Sequence, residues 1–399
     1  MQLPRERPRV LHVITRMILG GAQEDALLAL DGLARSGDWE VGLVTGPETG
    51  PEGTLLPRAR RLGIPVRVVG PMRREVRPAL DIAAAAELRR LFSELRPDVV
   101  QTHSSKAGIL GRWAARRAAV PVVIHRVHGV AFGPHASPWR NALYVALERA
   151  AARRADRLVV VADAMRLACL EAGIGRPEQF VTIRTGVDVR PYLAADERLR
   201  ERTRRELGIA SGEIVFVKLA RLAPLKGHEY VLRAARELEG ELPGARLLFV
   251  GDGALRPRLE ALARELLPPG RCIFTGLVEP ERVPALLAAS DVLVHASLRE
   301  GLPRSLVQAG LAARPAVAFS VDGAPEVIEN SRSGFLVPPG DVRALAERML
   351  ELGRDPALRG SFGSRGRERC ASLFGAEALV RATAGLYREL LEEKRRARG

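Results

Sequence analysis

Four polar residues in the second half of this chain could work on a phosphorylated ligand. Arg221 and Lys226 follow an apolar run of strand length, in Leu219-Ala-Arg-Leu-Ala-Pro-Leu-Lys-Gly227. Two cations on a loop shaped by Pro224 and Gly227 suit a pyrophosphate that gains charge as it leaves; solvated surface charges are the plain reading. Lys226 weighs more because lysine occurs only at 106, 218, 226 and 394. Glu300 lies in Ser297-Leu-Arg-Glu-Gly-Leu-Pro-Arg-Ser-Leu-Val-Gln308, a segment that opens a helix with free first-turn amides. Gln308 comes eight residues later, about two helical turns and so on roughly the same face. Together they could hydrogen-bond sugar hydroxyls, or Glu300 could be a cap or a surface ion pair.

The first half offers glycines and histidines. Gly20-Gly21 follow a strand pattern and precede a helix, which lets backbone amides approach a phosphate; a tight turn is the alternative. His103 and His128 each end a strand, and Gly129 opens space beside His128. Either ring could meet a sugar or be structural. His125 and His128 are not read as a metal pair, because three residues along a strand point the rings to opposite faces. No Asp-x-Asp pair occurs, so the usual carboxylate bridge for a metal-bound nucleotide sugar is missing, and no metal or cofactor is expected. Gly-x-Gly-x-x-Gly is also absent, which counts against a dinucleotide-dependent dehydrogenase.

These residues need a scaffold that brings strand ends together. Strand-length runs alternate with helical periods: Arg9–Thr15, Val41–Thr45, Val66–Val69, Asp98–Thr102, Val122–Val127 and Arg157–Val161 read as strands. After a polar stretch, Asp188–Gly212, the pattern restarts with Ile214–Leu219, Arg246–Val250, Arg271–Phe274, Asp291–His295 and Ala316–Phe319. Strands separated by helices indicate right-handed βαβ units and parallel sheets, which bind ligands at their carboxyl ends. The fold class is therefore α/β, with two Rossmann-like domains facing across a deep cleft. Residues 1–187 form the first domain and 188–375 the second, and a charged amphipathic helix, 376–399, must pack on something already built.

Composition narrows the class further. The chain has 399 residues, 47% hydrophobic and 27% charged, as expected of a globular protein. No apolar run reaches the length of a transmembrane helix, and residues 1–8 lack the apolar stretch of a secretory leader. Three scattered cysteines imply no disulfide framework. The expectation is a cytoplasmic protein. A net charge of +15 favours an anionic partner. Aromatic residues at 4% are too few for base-stacking platforms, so nucleic acid is not expected. Arg73, Arg74, Arg77, Arg112, Arg116 and Arg117, with Trp113, Trp139 and Tyr144, would suit an anionic membrane surface at the inner face of the cell membrane. Ordinary helix surface explains the same residues.

The chain resembles the retaining glycosyltransferases of family 4, which have the GT-B fold, over nearly its whole length. The resemblance rests on Leu19-Gly-Gly-Ala22, Thr102-His-Ser-Ser-Lys-Ala-Gly-Ile-Leu-Gly-Arg112, Val127-His-Gly129, Ala220-Arg-Leu-Ala-Pro-Leu-Lys-Gly227, Val250-Gly-Asp-Gly253, Glu300-Gly-Leu-Pro303, Gly323-Ala-Pro-Glu326 and Gly334-Phe-Leu-Val-Pro-Pro-Gly-Asp341. It implies a hexosyltransferase type of enzyme working without metal. The donor would be a UDP- or GDP-sugar and the acceptor a saccharide or lipid-linked saccharide of cell-envelope or exopolysaccharide synthesis. The second domain would bind the donor and the first the acceptor.

By position, the resemblance implies that Arg221, Lys226 and Gly20-Gly21 hold the diphosphate. Glu300 would take the donor sugar, with Gly301, Leu302 and Pro303 near the phosphates. His128 would contact the transferred sugar, Val278 would lie near the base, and the final helix would return to the first domain. His103 is carried as the acceptor-binding candidate. One departure stands out: the second glutamate of the family, which binds the donor ribose, is Gln308 here. A nucleotide-sugar-binding protein without turnover and a sugar-nucleotide epimerase remain the alternatives.

Overall fold

The computed structural model describes residues 6–48, 53–130, 132–133 and 137–397. Residues 1–5 of the stretch read for a leader, and Arg398 and Gly399 at the end of the terminal helix, lie outside the described residues. The chain divides into two compact units, residues 1–186 with 376–399, and residues 187–375.

Among the described residues, the first unit is built on seven parallel strands. They are β1 (Arg9–Ile14), β2 (Glu40–Thr45), β3 (Val66–Val68), β4 (Val99–His103), β5 (Val122–Val127), β6 (Arg157–Val160) and β7 (Phe180–Thr182). Their order is β3-β2-β1-β4-β5-β6-β7. Every neighbouring pair is parallel, with Val10 opposite both Val41 and Val99. Strands such as Val122-Val-Ile are apolar on both faces because helices cover both faces of a parallel sheet.

The second unit repeats the plan with six parallel strands. They are β8 (Val215–Leu219), β9 (Arg246–Val250), β10 (Cys272–Phe274), β11 (Val292–His295), β12 (Ala316–Phe319) and β13 (Gly334–Val337), in the order β10-β9-β8-β11-β12-β13. In both sheets the chain first winds outward from one strand and then returns to that strand's other side. The reversal lies between β1 and β4 in the first unit and between β8 and β11 in the second. Such a switch point parts the loops at the carboxyl ends and leaves a crevice for a ligand. Gly20, Arg221, Lys226 and Glu300 sit on loops after these strands, and Gly21 opens the helix that follows β1.

The polar stretch Asp188–Gly212 is largely helical, as Arg190–Leu193 and Glu197–Glu206, and belongs to the second unit. The last helix, Ala376–Arg396, returns to the first unit. It buries Leu379, Leu386, Tyr387 and Leu390 against Val10, Leu33, Trp39 and Ile183. The terminal helix therefore completes the core of the unit that the chain built first.

Candidate functional site

In the second unit, backbone geometry presses the two loops of the switch point together. Gly227 has φ +67°, and a Cβ there would come within 1.8 Å of the carbonyl oxygen of Ala296, just past β11. Only glycine fits. The amide of Leu298 donates to the carbonyl of Leu225 at 2.8 Å, which ties the loop after β8 to the loop after β11. Lys226 and Glu300, 74 residues apart in sequence, consequently meet: Lys226 Nζ donates to Glu300 Oε1 at 2.6 Å.

Glu300 is mostly buried, and its environment keeps it charged. Burial pushes its carboxyl up, but the ammonium of Lys226, together with His295 and Ser297, more than offsets that and holds it below the usual range. His295 Nε2 lies 3.5 Å from the same carboxylate oxygen. Burial pulls His295 down to about 3, so this ring is neutral at physiological pH. The amide of Glu300 is fixed by Asp322, whose Oδ2 accepts it at 2.6 Å. Arg221 is exposed, and its side chain has no hydrogen bond or ion pair among the described residues. The second unit thus presents a paired cation, a charged carboxylate and an exposed guanidinium around one switch point.

Other expected residues take more particular places. Gly301, Leu302 and Pro303 are buried, and Pro303 precedes the helix Arg304–Leu311. Proline has no N–H, so an amide for an anion must come from Gly301, Leu302 or the helix's first turn. Because that helix starts only at Arg304, Glu300 stands before it, and the expected same-face relation with Gln308 does not hold as helical geometry. Gln308 Nε2 donates to the hydroxyl of Tyr192 at 2.8 Å, which leaves its amide oxygen as the acceptor. Val278 is half-buried on the loop after β10.

Lys218 was not singled out in the sequence. It lies on β8 at 1% exposure with no partner for its Nζ among the described residues. Burial pulls it down to about 7, against the opposing pull of Glu300. The available signal was a lysine inside an otherwise apolar strand of a lysine-poor chain.

In the first unit, Gly20 is extended at φ −177° and precedes the helix Gly21–Ser36. A side chain at 20 would meet only the flexible end of Gln23, so these glycines offer open approach rather than strain relief. The helix is anchored by Asp25, which pairs with Arg126 at 2.7 Å and accepts from Thr185 and the amide of Gly186. His128 follows β5, half-buried, beside a cavity of about 320 Å³ lined in part by Ser104, Ser105, Val127, Gly129 and Val130.

Two expectations need correction. His103 is completely buried, and both ring nitrogens face neighbouring histidines: Nδ1 meets His128 Nε2 at 2.8 Å and Nε2 meets His12 Nδ1 at 3.2 Å. An acceptor cannot reach it without unpacking the sheet. Arg112 is not a surface cation either: it is fully buried and paired with Glu148 at 2.6 Å. Trp113 is capped by Arg154, whose guanidinium carbon sits 3.2 Å from the ring centroid. His125 turns to Thr102 at 2.9 Å and His128 to His103, so the two rings have separate partners. No cluster of three or more His, Cys, Asp or Glu suited to a metal occurs among the described residues. No helix among them is long and apolar enough to cross a membrane.

Comparisons with known proteins agree with this layout. Residues 200–369 match the model of glycosyl transferases group 1, and residues 20–186 match the glycosyl transferase 4-like domain. The Escherichia coli UDP-Gal:alpha-D-GlcNAc-diphosphoundecaprenol alpha-1,3-galactosyltransferase is 28% identical over 363 residues, covering 90% of this chain and 91% of that one. The 2-deoxystreptamine glucosyltransferase of Streptomyces kanamyceticus is 29% identical over 78% of this chain and 83% of its own length. Among solved structures, Anabaena HepE in complex with UDP and glucose superimposes with a TM-score of 0.82 at 23% identity, over 96% of this chain and 100% of that chain.

Proposed function

The chain belongs to the glycosyltransferases of the family 4 type, and on that premise we propose that its second unit binds a nucleotide-diphosphate sugar, UDP- or GDP-linked. The hexose then passes to a saccharide or lipid-linked acceptor held by the first unit. The observation that carries this reading is the Lys226–Glu300 pair at 2.6 Å, at the switch point of the second sheet and on the loop that also carries exposed Arg221. Glu300 is charged and can accept hydroxyl hydrogen bonds from the donor sugar. Lys226 and Arg221 meet the charge that builds on the leaving diphosphate, so the reading assigns this task to the protein rather than to a metal ion. Gly20-Gly21 complete the diphosphate contacts by backbone, Gln308 takes the ribose through its amide oxygen, and Val278 borders the base.

The transfer we infer retains the anomeric configuration. The bond from C1 to the diphosphate oxygen breaks, and a bond from C1 to the acceptor oxygen forms on the same face. The acceptor proton goes to a phosphate oxygen. His128, beside its cavity, contacts the sugar in transit. The names of the Escherichia coli galactosyltransferase and of the Anabaena complex with UDP and glucose support a UDP-linked donor and a lipid-linked acceptor.

The test is donor consumption with and without acceptor. Consumption only with acceptor, lost in Arg221→Ala and Lys226→Ala, supports transfer. Consumption without acceptor indicates an epimerase, and binding without consumption a binding protein. Proton NMR of the product reads the configuration, and equal rates with and without EDTA support metal independence.

An anionic membrane surface is the proposed place of work. The helix Pro138–Ala152 exposes Trp139, Leu143 and Leu147, a stripe at i, i+4 and i+8, with Arg140 beside it. Arg74, Val76, Arg77 and Ile82 are also exposed, around the start of the helix Pro78–Leu95. Apolar side chains flanked by cations suit an anionic lipid interface. Sedimentation with phosphatidylglycerol vesicles should pull down the protein at low salt, and Trp139→Ser with Leu143→Ser should weaken it. Equal sedimentation of the double variant contradicts this placement.

A further inference from the structure

A chain of buried groups runs through the first unit from the last helix to His128. Tyr387 donates its hydroxyl proton to Gln101 Oε1 at 2.9 Å. His12 Nε2 lies 2.9 Å from the same hydroxyl oxygen. His12 Nδ1 then meets His103 Nε2 at 3.2 Å, and His103 Nδ1 meets His128 Nε2 at 2.8 Å. The rings of His12 and His103 are 4.8 Å apart, and those of His103 and His128 are 5.1 Å apart. Tyr387, Gln101, His12 and His103 are all buried.

Proton counting gives this chain one direction. A neutral imidazole has one N–H and one bare nitrogen, so a ring that accepts on one side must donate on the other. His12 and His103 are neutral: burial holds His12 at about 3 and His103 well below its ordinary value. The single proton of Tyr387 is spent on Gln101, so its oxygen must accept from His12 Nε2–H. His12 Nδ1 is then bare and accepts from His103 Nε2–H. His103 Nδ1 is bare in turn and accepts from His128 Nε2–H. With the Gln101 amide oxygen turned to Tyr387, the opposite order would leave two bare oxygens, those of Tyr387 and Gln101, facing each other at 2.9 Å. The order given leaves only a longer approach between donors, Gln101 Nε2 and His103 Nε2 at 3.3 Å.

We propose that Tyr387 and Gln101 are positioning residues for His128: by setting the direction of this chain they keep its proton on Nε2 and make Nδ1 a hydrogen-bond acceptor. A sugar or acceptor hydroxyl that reaches His128 would then meet a ring whose Nε2–H is already given to His103. The terminal helix thereby sets the chemistry of a residue 259 positions earlier in the chain. The functional consequence rests on the sugar-contacting role proposed above for His128; the tautomer itself does not.

Two-bond proton–nitrogen NMR on the full chain with ¹⁵N-labelled histidine reads the tautomer directly, with His128 assigned by the signal lost in His128→Asn. The wild type should show the Nε2–H pattern at His128. Gln101→Met frees the Tyr387 hydroxyl to donate to His12, so the chain should reverse and His128 should shift to the Nδ1–H pattern. Tyr387→Phe removes the terminal acceptor and should give both patterns. An Nδ1–H or doubly protonated His128 in the wild type would overturn the proposal. So would an unchanged Nε2–H pattern in Gln101→Met, which serves alone if Tyr387→Phe does not fold. No donor or acceptor is present, so a protein that transfers nothing can still pass this test, and an active transferase can still fail it.

Discussion

Glu300 carries a charge where burial alone would remove it. The cost is met by Lys226, so removing that ammonium does two things: it deletes a diphosphate contact, and it leaves a buried carboxylate unpaired. Lys226→Ala is expected to lower the transfer rate by about 10²–10³, as for a lost oxyanion donor. Steady-state kinetics at saturating donor checks this; a rate within twofold of wild type contradicts it. Gln308→Glu tests the departure at the ribose position. A charged acceptor strengthens a hydrogen bond by roughly 1 kcal/mol over a neutral one, so nucleotide diphosphate binding should tighten about fivefold, with Tyr192 now donating. Calorimetric Kd values for the two proteins decide it, and weaker binding in the variant would show that the neutral amide is preferred. The sequence revealed these residues by type and by place after a strand. It could not reveal that Lys226 and Glu300 touch, because that depends on Gly227 pressing one loop onto the other. Nor could it separate His103 from His128: both end strands, and only packing makes one a buried link and the other half-exposed.

At the level of elements, the terminal helix is held by a close fit to the first helix. Gly32 lies inside Gly21–Ser36, and a Cβ there would come within 2.2 Å of Val380 Cγ2. Alanine is normally the better helix former by about 1 kcal/mol, so Gly32→Ala would stabilise an isolated helix. Here it should instead destabilise by about 1–3 kcal/mol, the cost of overpacking. Adding Val380→Ala makes room and should recover most of the loss. Thermal melts of the two variants check this, and a single variant as stable as wild type would contradict the close fit. The strands that position the site were legible because they are long apolar runs ahead of a helical period. The edge strands β7 and β13 were not. β7 has three residues, and β13 starts at Gly334 and ends before Pro338-Pro339. Neither carries enough periodicity to distinguish a strand from a loop. The reversal of strand order that opens each switch point is likewise a matter of pairing, absent from any single stretch.

Over the whole molecule, both units bury neutral histidines, and this ties stability to pH. His12 in the first unit and His295 in the second are both held at about 3, against an ordinary 6.5. The unfolded chain binds a proton at each below pH 6.5 and the folded chain does not, so the stability these two groups contribute is full above that value and falls as pH drops toward 3. Each group can cost up to about 1.4 kcal/mol per pH unit in that window. The melting temperature should fall steadily between pH 6 and 4; an unchanged Tm down to pH 5 would contradict it.

The central claim is that the second unit grips a nucleotide diphosphate through Arg221 and Lys226, and direct binding is its most immediate test. Titration calorimetry of UDP, GDP and their hexose conjugates against wild type, Arg221→Ala and Lys226→Ala reads it without any acceptor. The account predicts that at least one diphosphate binds the wild type and that each substitution weakens it tenfold or more, about 1.4 kcal/mol. Equal affinity in all three proteins, or no binding of any diphosphate to the wild type, would contradict it.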